Sequence, residues 1–204
     1  MTSPTVTTDG RNLRRDRNRE AVVGALLELW REGDLAPSTD DIAARAGISA
    51  RSLFRYFDDT DALVRTAIDR QQQHLAPLYA LDTGPRDPFG DRVDRFVAAR
   101  ARLLEGMGHV GRIARALAPR QPLVAAELAR IRATLRAQLA ELFSPELGEL
   151  GPVPGAAALA AADVVTSWEA WDLLRNDQGL DRDAAVAVVA ATLHRLLGPA
   201  REAR

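Results

Sequence analysis

Residues 49–56 concentrate side chains that can hydrogen-bond to nucleic acid, namely Ser49, Arg51, Ser52, Arg55 and Tyr56. Arginine can donate two hydrogen bonds to O6 and N7 of guanine, and Ser, Tyr and Arg can bind phosphate oxygens. Base edges are reached by the first turn of a recognition helix, so we expect Ala50, Arg51 and Ser52 to read bases. Arg55 and Tyr56 lie further along and suit phosphate contacts. An ordinary helical hairpin with a solvated polar face is the alternative.

Two short helices separated by a tight turn would carry this surface. Ser38 is a suitable N-cap, and Asp41 three residues later completes a capping box. Gly47 predicts a left-handed stop because glycine lacks a Cβ, and Ser49 caps a second helix expected over residues 50–57. The inward-facing residues would be Ile42, Ala46, Ile48, Leu53 and Phe57. This pattern is typical of a helix-turn-helix.

The stretch resembles the DNA-binding domain of the TetR family of transcriptional repressors. The matching residues are Ser38, Asp41, Ile42, Ala43, Ala46, Gly47, Ile48, Ser49, Leu53, Phe54, Arg55, Tyr56, Phe57 and Leu63. The resemblance covers about residues 15–70, and beyond them only the layout of helices is similar. It implies a homodimer that binds a palindromic operator, responds to a small-molecule effector and dimerises through its last two long helices.

Three positions depart from the usual pattern of the family. Phe54 stands where the family has Tyr, so one hydroxyl group that would contact phosphate is missing. Arg51 stands where Gly is usual, and Thr60 stands where a Lys contacts phosphate. The acids of residues 58–61 suit a helix N-terminus but repel a DNA backbone, so a member that has lost tight DNA binding is a further interpretation. The predicted DNA contacts are Ser38, Thr39, Ser49, Ala50, Arg51, Ser52, Arg55, Tyr56 and Thr60.

The composition favours a globular protein with a local cluster of positive charge. The chain has 204 residues, 47% of them hydrophobic, and a formal net charge of −1, so its bulk charge does not indicate a nucleic-acid partner. Residues 11–19, however, hold five arginines and one aspartate, and such an arm suits phosphates or a minor groove. A soluble disordered tail is the alternative, and we expect disorder over residues 1–13.

No group of residues predicts catalysis or metal binding. The chain has no Cys, which excludes disulfides, thiolate metal sites and a Cys nucleophile. His74, His109 and His194 lack a metal-binding spacing, and the acids of residues 58–61 lack the ligand series of a calcium loop. We therefore expect no enzyme activity, no cofactor and no metal. The Thr/Ser/Pro-rich start is not a signal peptide and no long apolar span occurs, so we expect a cytoplasmic protein without membrane contact.

Hydrophobic periodicity predicts an all-α chain of about nine helices. Besides the two helices of the motif, helices are expected over about residues 14–31, 59–77, 91–105, 109–118, 122–143, 156–176 and 182–197. Proline and glycine predict loops over residues 81–90 and 144–155 and a helix end at Gly106 and Gly108. A three-helix DNA-binding head over residues 14–60 would precede an effector-binding and dimerisation domain over residues 61–204.

The last two predicted helices indicate an interface between subunits. No charge occurs from Ala184 to Leu193, and a helix that is apolar all round is buried on all sides. A second subunit is the expected cover, and a monomeric bundle with the last helix at its centre is the alternative. The predicted interface residues are Val164, Trp171, Val186, Val189, Leu193 and Leu197.

The helices expected over residues 91–105, 122–143 and 156–176 carry aromatic side chains with a few polar groups, a combination that suits a small-molecule pocket. The candidate ligand residues are Phe96, Arg100, Met107, Thr134, Leu135, Gln138, Trp168 and Trp171. Ordinary core packing is the alternative for each of them. The chemical class of the effector is open.

These features together predict a homodimeric transcriptional repressor that a small-molecule effector releases from a palindromic operator in double-stranded DNA. The runner-up is an all-α enzyme or small-molecule carrier with a helical hairpin that does not bind DNA. Salt-dependent, sequence-selective DNA binding distinguishes the two.

Overall fold

The structure, a computed structural model, describes the backbone of residues 6–198 and the side chains of residues 13–198. Its α-helices are α1 (Val6–Arg31), α2 (Thr39–Arg45), α3 (Ala50–Leu53), α4 (Thr60–Leu75), α5 (Phe89–Leu117), α6 (Pro122–Leu142), α7 (Ser144–Leu150), α8 (Pro152–Val165), α9 (Trp168–Asp172) and α10 (Arg182–Leu197). A 3₁₀ turn, Ala76–Tyr79, follows α4, and a π-helical turn, Leu173–Asp177, follows α9. Residues 6–198 contain no strand, and the predicted all-α fold is confirmed.

The described residues form two compact units. The head unit joins residues 6–74 to residues 109–127, and the body unit joins residues 75–108 to residues 128–198. The chain therefore passes from one unit to the other three times: at the end of α4, inside α5 and inside α6. The sequence predicted that the head ends at residue 60, where the helix-turn-helix motif ends. In the structure the head unit extends to residue 74 and so includes nearly all of α4.

The head unit is built around a continuous apolar core. Its buried residues include Val22, Val23, Leu26, Trp30, Ile42, Ala43, Leu53, Phe57, Leu63, Val64, Ala67, Ile113, Leu117 and Val124. Leu53 is 0% and Phe57 is 2% exposed, and full burial of such a side chain contributes roughly 1.5–3 kcal/mol. A ring nitrogen of His109, Nε2, lies 2.9 Å from the carbonyl oxygen of Arg31, so the second half of α5 also covers the C-terminus of α1.

The body unit has a separate core. Phe96 of α5 and Phe143 pack edge to face with ring centroids 5.6 Å apart. Arg92, only 3% exposed, forms an ion pair with Glu146 of α7 and donates a hydrogen bond of 2.8 Å to the carbonyl oxygen of Leu142. These contacts fasten the start of α5 to the junction of α6 and α7.

Of the two glycines predicted to end the helix, Gly106 does not interrupt it. The interruption lies at Gly108, whose φ of 40° and ψ of −127° are not helical. A Cβ on Gly106 would lie 2.5 Å from Cδ1 of Leu78, so glycine there allows a close approach, whereas Gly108 supplies a backbone conformation that other residues rarely adopt. Sequence alone does not separate these two uses of glycine.

The loop predicted over residues 144–155 is also wrong, because α7 and the start of α8 occupy it. Pro145, Pro152 and Pro154 prompted that prediction. Proline is tolerated in the first turn of a helix, where its missing N–H would be unpaired anyway, and Pro145 and Pro152 lie in the first turns of α7 and α8.

The helix predicted over residues 156–176 is divided into α8 and α9. The division falls at Ser167, whose Oγ accepts a hydrogen bond of 3.1 Å from the backbone N–H of Ala170. A serine cap starts a new helix, a signal that the continuous apolar pattern concealed.

Helix α1 begins at Val6, so the disorder predicted for residues 1–13 is wrong for residues 6–13. Residues 1–5, the side chain of Arg11 and residues 199–204 lie outside the part of the chain that the structure describes.

Candidate nucleic-acid interface

Helix α2 begins with the predicted capping box. The backbone N–H of Asp41 donates to Oγ of Ser38 at 3.1 Å, and the N–H of Ser38 donates to Oδ2 of Asp41 at 3.1 Å. Hydrogen bonds from the hydroxyl and the N–H of Ser38 hold the pKa of Asp41 below its ordinary value of 3.8. At its other end α2 is tied to the residue that follows α1, because Arg45 donates two hydrogen bonds of 2.8 Å to Glu32.

The turn after α2 directs the chain into the recognition segment, residues 50–57. The N–H of Ile48 donates to the carbonyl of Ala43 at 3.0 Å, and the N–H of Gly47 donates to Ala44 at 3.1 Å. This pair of bonds is the Schellman motif, which needs a left-handed residue, and Gly47 has φ of 69°. Oγ of Ser49 then accepts from the N–H of Ser52 at 3.2 Å and starts α3.

The recognition segment is regular α-helix only from Ala50 to Leu53, so the helix predicted over residues 50–57 is too long. Beyond it, the N–H of Arg55 donates to Ser52 and the N–H of Tyr56 donates to Leu53, at 3.1 and 2.9 Å. These i to i−3 bonds tighten the last turn, as is frequent at helix ends. Leu53 and Phe57 still face the core as predicted.

Arg51 and Arg55 present free cationic groups at the surface. Both side chains are exposed, and neither has a hydrogen-bond or ion-pair partner among the described residues. Ser49 is exposed as well, and Ala50 and Ser52 are half-buried beside them. The short segment therefore offers two unpaired guanidinium groups that can bind guanine edges or phosphates.

Tyr56 is positioned by a residue that sequence reasoning missed. Nδ2 of Asn18 in α1 donates to the Tyr56 hydroxyl oxygen at 2.8 Å. The hydroxyl accepts this bond and keeps its own hydrogen to donate to a phosphate. The two residues are 38 positions apart, so no local pattern could have paired them.

The arginines of the basic segment, residues 11–19, fall into two groups in the structure. Arg19 packs over the ring of Phe57, with Cζ 5.2 Å from the centroid, and donates to Thr66 at 3.3 Å, which makes it part of the scaffold. Arg14, Arg15 and Arg17 are exposed on α1. These three can approach a phosphate backbone as part of a helix and not as a flexible tail.

Two features of the surface bear on DNA affinity. Oδ1 of Asp59 accepts the N–H of Ala62 at 2.6 Å, so the acid next to Thr60 caps α4, and Thr60 itself is exposed. Phe54 is 51% exposed, an aromatic ring that the sequence analysis treated only as a lost hydroxyl. Phenylalanine can contact a thymine methyl group, and Phe54 joins the candidate contacts.

The predicted ligand residues lie mostly within the body core. Phe96, Arg100, Met107, Leu135, Trp168 and Trp171 are all buried. Gln138 is half-buried and donates to the carbonyl of Tyr79 at 2.9 Å. Thr134 is exposed and donates to the carbonyl of Arg130 at 3.0 Å, because it lies off the inward stripe of α6. Thr134 is therefore not part of the body core, and its role as a ligand contact stays a prediction.

Most predicted interface residues are covered by the chain's own core. Trp171, Val189, Leu193 and Leu197 are 5%, 3%, 0% and 2% exposed, so they have almost no surface left for a second subunit. Val186 is half-buried. Val164 is 68% exposed, and its place in a dimer interface stays a prediction. The apolar pattern of the last helix reflects burial inside the body unit, which corrects the earlier interpretation.

A capped helix, a glycine turn and a second capped segment with unpaired arginines define a helix-turn-helix DNA-binding unit. Residues 23–67 match the family described as bacterial regulatory proteins, tetR family. Over this region the chain is similar to the TetR family of transcriptional regulators, and the match supports a DNA-binding function. Among curated proteins none matches the chain.

Solved structures share the fold over most of the chain. A tetR-family transcriptional regulator from Streptomyces coelicolor is 20% identical with a TM-score of 0.59, covering 87% of this chain and 80% of that one. A TetR-like transcriptional regulator from Rhodococcus sp. RHA1 is 20% identical with a TM-score of 0.60, covering 89% and 97%. A second transcriptional regulator from the same organism is 19% identical with a TM-score of 0.61, covering 88% and 95%. At such identities the likeness establishes the fold alone.

Membrane-spanning helices and metal-binding clusters are absent from the described residues. None of the helices in residues 6–198 has the length and apolar character to cross a bilayer. In the same part of the chain, no three His, Asp or Glu side chains lie close enough together to bind a metal ion.

Proposed function

We propose that the protein is a homodimeric repressor that binds a palindromic operator and leaves it when a small molecule binds the body unit. The observation that carries the proposal is the pair of exposed, unpaired arginines, Arg51 and Arg55, on a segment fixed by the Ser49 cap. In this role the protein needs no catalytic residue and no cofactor, and it works in the cytoplasm, where the DNA is.

An exposed apolar surface on the body unit supports the homodimer. Val153 and Val164 of α8 are 80% and 68% exposed, and Val188 of α10 is 41% exposed. Exposed alanines accompany them, namely Ala156, Ala157 and Ala160 on α8 and Ala187 and Ala191 on α10. Helices α8 and α10 pack against each other, so these exposed apolar residues lie on neighbouring helices, and exposed apolar surface of this kind is typical of an interaction site. Two linked heads would then bind half-sites about 34–36 Å apart.

The connections between the units support control by a ligand. Helices α5 and α6 each contribute residues to both units, so the head core includes Ile113 and Val124 from the same helices that supply the body with Phe96 and Leu135. A ligand shifts DNA affinity only if it binds two arrangements of the body with different affinities.

Selection from random-sequence duplex DNA with the purified full chain tests the proposal. We expect an enriched palindrome whose half-sites are one helical turn apart, because a two-fold dimer reads two-fold sequence. Binding should weaken steeply as salt rises, since arginines release counterions from phosphates. Recovery of no sequence, or of a single unpaired site, would contradict a dimeric operator-binding repressor.

A further inference from the structure

Arg100 of α5 is a buried cation with few partners. It is 4% exposed, and its guanidinium carbon lies 4.9 Å from the centroid of the Phe96 ring. Nη2 donates one hydrogen bond of 3.2 Å to the carbonyl oxygen of Leu135, and this is the only hydrogen bond of the group within the described residues. A guanidinium has five N–H donors, and a buried charge is costly unless it is paired.

No carboxylate of the described residues pairs with Arg100. Arg92, which is equally buried, shows what such pairing looks like, because its guanidinium binds Glu146. Asp163 is near enough to favour the charged form of Arg100, but its carboxylate accepts a hydrogen bond of 3.2 Å from Arg136. Burial lowers the pKa of Arg100 to about 10 against the opposing effects of Asp163 and Tyr79, so the side chain is still a cation near pH 7.

The unpaired nitrogens of Arg100 are not sealed inside the protein. Among the described side chains, the nitrogen that is both inaccessible to solvent and without a hydrogen-bond partner is Nε of Arg92, and no nitrogen of Arg100 shares that state. The free donors of Arg100 therefore keep a small accessible surface. Around them lie an aromatic face, Phe96, and the backbone of Leu135, within a core cluster that also contains Met107 and Trp168.

We propose that Arg100 anchors the carboxylate of an organic acid whose apolar part packs in the body core. The guanidinium fork matches a carboxylate with two parallel hydrogen bonds, and apolar side chains of the core cluster, among them Phe96, accompany the polar neighbours Asp163 and Tyr79. This inference rests on the proposed effector-binding function and names the class of the effector. The competing role for Arg100 is a structural pin between α5 and α6.

The test compares acids with their neutral amides on the full chain. The probes are straight-chain carboxylates from butanoate to dodecanoate, benzoate and phenylacetate, each paired with its primary amide. Binding is followed by Trp168 and Trp171 fluorescence and by Tm. We expect at least one acid to bind about tenfold or more tighter than its amide, as a charge-assisted hydrogen bond allows.

Variants assign that preference to the guanidinium. Arg100→Met should abolish the preference for the acid, and Arg100→Lys should retain part of it, because Lys keeps the charge but loses the fork. Arg102→Met removes an exposed arginine from the same helix and should leave the preference unchanged. Without ligand, Arg100→Met should keep or raise Tm, since replacing a poorly paired buried charge by an apolar side chain is often neutral or stabilising.

Two results would overturn the inference. One is that no acid in the series binds wild-type protein better than its amide. The other is an acid preference that survives in both Arg100→Met and Arg100→Lys. If Arg100→Met does not fold, the wild-type comparison still decides, and an acid preference that is undiminished in Arg100→Lys also overturns the inference.

Operator affinity, measured separately, distinguishes this inference from the proposed function. An acid that binds through Arg100 without weakening operator binding supports the anion site and contradicts its role as effector site. Operator release by a neutral compound, with no acid preference anywhere in the series, supports effector control and overturns the anion site.

Discussion

Arg51 and Arg55 lie on one short segment, but we expect them to contribute differently to DNA binding. Arg51 is in the first turn after the Ser49 cap, where side chains reach base edges, and Arg55 lies in the tightened turn beyond α3. Arg51→Ala should weaken specific binding by ~1–3 kcal/mol and relax one base position. Arg55→Ala should weaken binding to all sequences alike. Titration of both variants against an operator substituted base by base checks this, and equal profiles for wild type and Arg51→Ala would contradict it.

Thr60 permits a test of the acidic stretch at the start of α4. Thr60→Lys adds a positive charge to an exposed position, and each phosphate neutralised adds about one unit to the dependence of log K on log salt. We expect tighter binding and a steeper salt dependence. Thr60→Gln, which is long but uncharged, is the control. An unchanged slope for Thr60→Lys would mean that α4 does not approach the backbone.

The side chains of the site were predictable where local rules govern them. Ser38, Gly47 and Ser49 follow capping and turn chemistry over three or four residues, and the structure has all of them in those roles. The pairing of Asn18 with Tyr56 depends on how α1 packs in the folded head, and sequence spacing carries no signal for it.

Gly47 has a conformational role that can be separated from packing. Its φ is 69° and nothing lies within 4 Å of a Cβ placed there, so Gly47→Ala tests backbone strain alone. A left-handed conformation costs a residue with a Cβ roughly 1–2 kcal/mol, and we expect that loss in the free energy of unfolding. Gly148→Ala is the matched control, because Gly148 is in helix α7 with open space and no positive φ. It should be neutral or stabilising by up to ~1 kcal/mol, and equal losses in both variants would contradict the assignment.

The exposed residues of α8 and α10 are better positions for testing dimerisation by mutation than the buried residues that the sequence predicted. Val164→Glu and Val188→Glu place a charge on exposed apolar positions and should weaken dimerisation by about 2 kcal/mol or more, roughly thirtyfold in Kd. Leu13→Glu, on an exposed residue of α1, should not. Val189→Glu should unfold the body instead, because Val189 is buried. Sedimentation combined with thermal unfolding distinguishes these outcomes, and wild-type protein that is monomeric at micromolar concentration would refute the dimer.

At the level of elements, periodicity predicted long helices well and helix ends poorly. The inward stripe of α6 and the extent of α10 follow from repeated apolar residues. The prediction of helix ends failed where one residue type serves two purposes. Proline can break a helix or begin one, and glycine can end a helix or let another chain segment approach. Those choices depend on neighbours that are distant in sequence, such as Leu78 beside Gly106.

For the whole molecule, effector control implies that the compound and the operator weaken each other's binding equally. If a compound bound in the body lowers operator affinity, saturating operator must lower the affinity for that compound by the same factor. We expect a coupling of ~1–3 kcal/mol, or about 5–150-fold. Tryptophan fluorescence titrations with and without operator measure it, with a scrambled duplex as the control. Identical affinities would show that the body site and the head are uncoupled for that compound.

The passage of the chain between units has a consequence for engineering. The head core takes Ile113, Leu117 and Val124 from residues 109–127, so the DNA-reading part is not an N-terminal cassette. A chimera that exchanges only residues 6–74 with a relative would join two half-cores with unmatched side chains, and interiors tolerate such mismatches poorly. Operator specificity is therefore better transferred through the exposed positions of the recognition segment, leaving both halves of the native core together.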